Sequence, residues 1–180
     1  MTARTGPDPE SSVSGDPEPD PESVARAIVL RQLTMAPRSR LQLFRKLAER
    51  NVPLDVAEAV LDRFEEVQLI DDAEFARMWV RSRSQSRKLA KSAIRRELTE
   101  KGIELDDAAE ALSQLSDEDE EIAARELVER KLRPGVDLSD RAERDKCTRR
   151  LASMLARKGY APSMAFRIVG EVLAQAGTLE

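Results

Sequence analysis

One 19-residue pattern occurs three times without a gap, and it restricts the fold more than any other feature of the chain. The copies are LFRKLAERNVPLDVAEAVL (43–61), IRRELTEKGIELDDAAEAL (94–112) and LASMLARKGYAPSMAFRIV (151–169). Each begins with an apolar pair four residues apart: Leu43/Leu47, Ile94/Leu98, Leu151/Leu155. Each then passes through a basic residue, a turn residue and an apolar residue: Arg50-Asn51-Val52, Lys101-Gly102-Ile103, Lys158-Gly159-Tyr160. Asn and Gly tolerate the left-handed backbone that ends a helix. A further helix follows, with Ala57/Val60/Leu61, Ala108/Ala111/Leu112 and Ala165/Ile168/Val169 in register. Self-similarity at this period is the signature of tandem helical units.

A third helix precedes each copy. It carries Ile28, Leu30 and Leu33 in the first unit, and Ala123, Leu127 and Val128 in the third. In the second, Phe75, Met78 and Trp79 fall on one helical face. Pro, Gly, Asn and Asp separate nine helical stretches, about 22–35, 39–50, 54–67, 72–85, 88–101, 106–115, 118–133, 141–158 and 162–175. Leu and Ala dominate the apolar content and aromatics reach only 3%, which favours helix over a broad sheet. The expected fold is all-α: three tandem three-helix, helix-turn-helix-like repeats over 23–70, 71–116 and 117–176, stacked into an elongated curved solenoid. A loop is expected over 133–140. Residues 1–22 hold five prolines and six acids with no apolar periodicity, so a disordered acidic tail is expected there.

The composition excludes several chemistries. With no histidine and one cysteine, Cys147, imidazole bases, Cys-His relays and Cys/His zinc sites are absent. No glycine-rich phosphate loop is present. The chain is read as a non-enzyme without a cofactor. No apolar run reaches the roughly 18 residues of a membrane span, and the lone cysteine fits a reducing, cytoplasmic setting.

Charge is unevenly distributed. From Arg77 to Lys101 there are nine basic residues and two acids, although the net charge is −4. Lys88, Lys91 and Arg95 are expected to form one helical stripe, with Arg81, Arg83 and Arg87 before it. Lys146, Arg150 and Arg157 form a second stripe in the third unit. Like charges so spaced repel unless an anion neutralises them. Gly102–Ala124 carries nine acids and no base, ending in SDEDEE (116–121). Among possible sites, Asp71 and Glu74 read as a helix capping box, Phe75 and Trp79 as core, and Cys147 as a buried thiol beside Leu151.

Three segments, LIDDAEFARMWVRSR (69–83), AIVLRQLTMAPRSRLQLFRKL (27–47) and RRLASMLARKGYAPSMAFRIVGEVL (149–173), resemble the RecX regulatory proteins, which modulate the bacterial recombinase RecA. The likeness covers residues 23–175. Pro37, before Ser39-Arg40, and Asn51, where a glycine is usual, depart from the pattern. The resemblance implies a protein that binds the RecA filament on single-stranded DNA and opposes filament growth, ATP hydrolysis and strand exchange, reducing recombination and the SOS response. It implies contact with the recombinase and leaves direct DNA contact open. With no coiled-coil seam in the sequence, the chain is read as a monomer. The contact residues expected are Arg77, Arg81, Arg83, Arg87, Lys88, Lys91, Arg95, Arg96, Lys146, Arg150 and Arg157. The alternative is a stand-alone helix-turn-helix-type nucleic-acid binder.

Overall fold

The computed structural model describes residues 20–132 and 138–178. Those residues form nine helices and no strand: α1 Pro21–Met35, α2 Arg40–Ala48, α3 Leu54–Glu66, α4 Asp72–Arg87, α5 Lys91–Glu100, α6 Leu105–Ser113, α7 Asp117–Lys131, α8 Arg141–Arg157 and α9 Pro162–Thr178. Local chemistry sets the boundaries. Asp20, Ser39, Asp71, Ser116 and Asp140 each accept a backbone N–H in the first turn that follows, satisfying a donor that no helical carbonyl can reach. Asn51, Gln68, Lys88, Gly102 and Gly159 have positive φ where helices end.

The helices pack in threes, α1–α3, α4–α6 and α7–α9, each set around its own apolar centre. Leu43, Leu47, Val60 and Leu61 fill the first; Phe75, Ile94, Leu98 and Leu112 the second; Leu127, Leu151, Leu155, Ile168 and Val169 the third. The three aligned windows therefore supply the equivalent core positions of every unit. Cys147 is buried in the third.

Other expectations shift by a residue or two. In α1 the buried positions are Ala25 and Val29, while Leu30 is 46% exposed. In α7, Ala124 rather than Ala123 is buried, and in α4 Met78 points outward at 40% exposure. Alanines thus take fully buried positions in α1, α4 and α7 (Ala25, Ala76 and Ala124). The leader ends earlier than its composition indicates, because Asp20 caps a helix that starts with Pro21 and Glu22; proline at the first helical position needs no N–H. The rest of that leader, 1–19, and residues 133–137 of the expected loop lie outside the described residues.

Neighbouring units meet through one motif used twice. The residue before α2, Ser39, is wholly buried, and its Oγ donates to the Lys101 carbonyl at the end of α5 (2.7 Å). At the corresponding place before α5, the Ala90 N–H donates to the Lys158 carbonyl at the end of α8 (3.0 Å). Ala90 is buried in the third core. Just inside each helix a backbone N–H reaches a carboxylate of the next unit: Arg40 to Asp72 (2.8 Å) and Lys91 to Glu120 (2.6 Å). The fit explains the glycines. A Cβ at Gly102 would lie 2.6 Å from Leu41, and one at Gly159 would lie 2.7 Å from Ala93. Asn51 holds the same place in the first unit, and among the described residues no unit precedes it.

Candidate interaction surface

The structure separates the expected basic residues into two groups. Five are engaged in ion pairs of fixed geometry. Arg77 bonds Glu74 (2.9 Å), which raises its pKa. Arg83 bonds Glu97 (2.9 Å), Lys88 bonds Glu126 (2.8 Å), Lys91 bonds Asp117 (2.7 Å) and Lys146 bonds Glu143 (3.3 Å). Lys88 and Lys91 reach from the second unit into α7, so they tie units together. Arg150 donates to the Lys131 carbonyl (3.4 Å). The remaining five, Arg81, Arg87, Arg95, Arg96 and Arg157, are exposed, and no ion pair involves them among the described residues.

The expected Lys88/Lys91/Arg95 stripe does not form as one helical row. Lys88 adopts left-handed backbone (φ 51°) and ends α4, while α5 starts at Lys91. The break between them is what lets Ala90 enter the third unit. Lys146, Arg150 and Arg157 do share one helix, α8.

Apart from Glu118, the acidic run 116–121 is also accounted for. Ser116 and Asp119 form a reciprocal capping box at the start of α7. Asp117 and Glu120 hold the side chain and backbone of Lys91, and Glu121 pairs with Arg167. Acids in a first helical turn also favour the dipole. Half of the expected Asp71/Glu74 box is realised: the Glu74 N–H bonds Asp71 (2.7 Å), but the Glu74 carboxylate turns to Arg77.

Trp79 is only partly buried and carries polar company. It stacks on Phe75 with centroids 5.5 Å apart. Its indole N–H donates to Glu97 Oε2 (2.8 Å), the oxygen that also accepts from Arg83 Nε (2.9 Å). The Arg83 guanidinium carbon lies 3.8 Å from the ring centroid and Lys101 Nζ lies 4.1 Å from it, distances that give cation–π attraction.

Lys101 and Lys158 occupy the same position in successive units, and both have lowered pKa values. For Lys101 burial is the main cause, with Arg83 and Arg38 adding repulsion and Glu97 opposing it. For Lys158 burial again leads, followed by Arg130, Arg87 and Lys131. Each unit junction thus concentrates cations at one repeated position. Apart from Arg83 and Arg87, these residues were not among the expected contacts. The signal was the basic residue before the turn in the aligned windows.

The first and second three-helix domains of RecX match residues 25–64 and 71–112 respectively. The regulatory protein RecX of Streptomyces coelicolor is 52% identical over 163 residues, covering 91% of this chain and 85% of the relative. The chain belongs to the RecX family of regulatory proteins. RecX of Thermobifida fusca is 47% identical over 157 residues, covering 85% of this chain and 80% of the relative. The crystal structure of RecX from Lactobacillus salivarius shares the fold with a TM-score of 0.70 at 21% identity, over 85% of this chain and 97% of that one. A regulatory role therefore follows from membership. No described helix is long and apolar enough to cross a membrane.

Proposed function

We propose that this chain binds the RecA recombinase in its filament on single-stranded DNA and restrains ATP hydrolysis, filament growth and strand exchange. Membership of the RecX family carries the reading. The tandem array supports it physically. Three units joined by repeated contacts present successive surfaces, and a polymer of identical protomers offers successive places to receive them. Weak single contacts then add through effective concentration. The exposed guanidinium groups of Arg81, Arg95 and Arg96, without ion pairs, are free for acidic recombinase surface or the DNA backbone. Lys88 and Lys91 tie the second unit to α7, and Arg83 braces α4 against α5 through Glu97.

The test is a titration of single-stranded-DNA-dependent ATP hydrolysis by recombinase with this chain. Inhibition at substoichiometric dose supports action on the filament, and the dose separates capping of ends from coating. Unchanged hydrolysis and strand exchange at equimolar dose would refute the proposal.

A further inference from the structure

We propose that the junction between the first and second units is a phosphate-binding site, formed by Arg38, Arg83 and Lys101 around Trp79. Arg38 comes from the α1–α2 connection of the first unit, whereas Arg83 and Lys101 come from α4 and the end of α5. The Ser39–Lys101 hydrogen bond (2.7 Å) fixes the connection carrying Arg38 against the end of α5. Arg83 and Lys101 converge on the Trp79 ring, at 3.8 and 4.1 Å from its centroid. Arg38 Nε is buried and has no hydrogen-bond partner.

Charge balance favours an anion. Glu97 is bonded to Arg83 and Trp79 and neutralises one of the three cations. Arg38 and Lys101 form no ion pair among the described residues. Burial is the main cause of the lowered pKa of Lys101, with the Arg83 and Arg38 charges adding to it and those of Glu97 and Glu100 opposing it. A buried guanidinium N–H without an acceptor is uncommon in folded proteins. The Arg38 Nε is closed to solvent, so an oxyanion meets the partly exposed terminal nitrogens of the guanidinium. Those nitrogens bond phosphate oxygens with parallel donors, and Nε gains an acceptor only when the side chain turns. Because the cations come from two units, a bound phosphate also fastens those units together. The equivalent position of the next junction, Lys158 with Arg87 and Lys131, is similarly cationic, so a chain of phosphates gains a second contact.

The ligand class is a phosphate group, either free or within a nucleic-acid backbone. Trp79 is the only tryptophan, so its emission reports occupancy directly. The purified full chain, without recombinase, is titrated at fixed ionic strength with pyrophosphate, with an oligothymidylate and with polyglutamate. A saturable emission change with either phosphate probe is expected. Pyrophosphate displacing the oligonucleotide assigns both to one site, while binding of the oligonucleotide alone assigns the backbone as the source.

Arg38→Gln is expected to weaken binding by about tenfold or more, as loss of a charge-assisted contact implies. It is also expected to lower the salt slope for the oligonucleotide by roughly one. Arg38 makes no hydrogen bond that folding needs, so the variant should keep its helical circular dichroism. The proposal is overturned if no phosphate probe changes the emission, if polyglutamate binds equally well, or if folded Arg38→Gln binds like the parent. No recombinase is present, so these outcomes are independent of the filament reading.

Discussion

The Ser39 hydroxyl and the Lys101 carbonyl, 62 positions apart in sequence, meet at 2.7 Å and join the start of α2 to the end of α5. Ser39 is the one buried polar side chain among the described residues, and its Oγ also accepts the Gln42 N–H (3.4 Å). Ser39→Ala removes both bonds and leaves the Lys101 carbonyl without its donor. A loss of about 1–3 kcal/mol in denaturant unfolding is expected. Parent-like stability would show that the buried hydroxyl contributes nothing to joining the units.

The three turn residues should respond differently to substitution. Gly159→Ala adds a methyl group 2.7 Å from Ala93 at a residue with φ of +91°. Left-handed strain and overpacking together predict a loss of about 2–4 kcal/mol. Gly102→Ala, against Leu41, should behave likewise. Asn51→Gly meets no neighbouring unit among the described residues, and a change within about 1 kcal/mol is expected. Thermal denaturation of the three variants checks the order. Equal effects at all three positions would disprove the packing explanation.

Asp72 gives the first junction a dependence on pH. Burial raises its pKa above the usual carboxylate value, and the negative charges of Glu65 and Asp107 add to this; the Arg40 N–H and the Arg40 charge oppose it. The folded chain therefore keeps this proton to higher pH than the unfolded chain. Its contribution to stability falls as pH rises through that window. Asp72→Asn still offers Arg40 an acceptor oxygen but cannot ionise. The variant should gain stability relative to the parent as pH rises above the ordinary carboxylate range of about 4. A difference that stays constant across the range would contradict the assignment.

The division of the basic residues predicts two kinds of variant. Joint replacement of Arg81, Arg95 and Arg96 by Glu breaks no ion pair in the structure, so the fold should be unchanged. The dose needed to inhibit recombinase ATP hydrolysis should rise about tenfold or more. Lys91→Glu faces Asp117 and Glu120 and should lower thermal stability before it alters inhibition. Full inhibition by the folded triple variant would remove those arginines from the contact.

The repeat made most of the fold legible. Window positions such as Leu47, Leu98 and Leu155 are buried in their separate cores, because position within a unit determines burial. The first helix of each unit was harder to read. Ala25, Ala76 and Ala124 are its fully buried positions, and alanine gives only a faint apolar signal beside Leu30 or Met78. The site was legible in composition but not in geometry. A run of basic residues in sequence does not show that Lys88 and Lys91 have carboxylate partners in α7. Nor does it show that Arg38 and Lys101 become neighbours through contacts between units.

Because each trio of helices encloses its own apolar centre, whole trios are interchangeable parcels, provided the few stitching positions agree. Exchange with a relative should succeed when the serine or alanine before the middle helix, the glycine after it and the receiving carboxylate are kept. At Asn51, the equivalent turn of the first unit, a side chain stands where the later units keep glycine. An incoming helix packed there as Leu41 packs on Gly102 would need that residue changed to glycine.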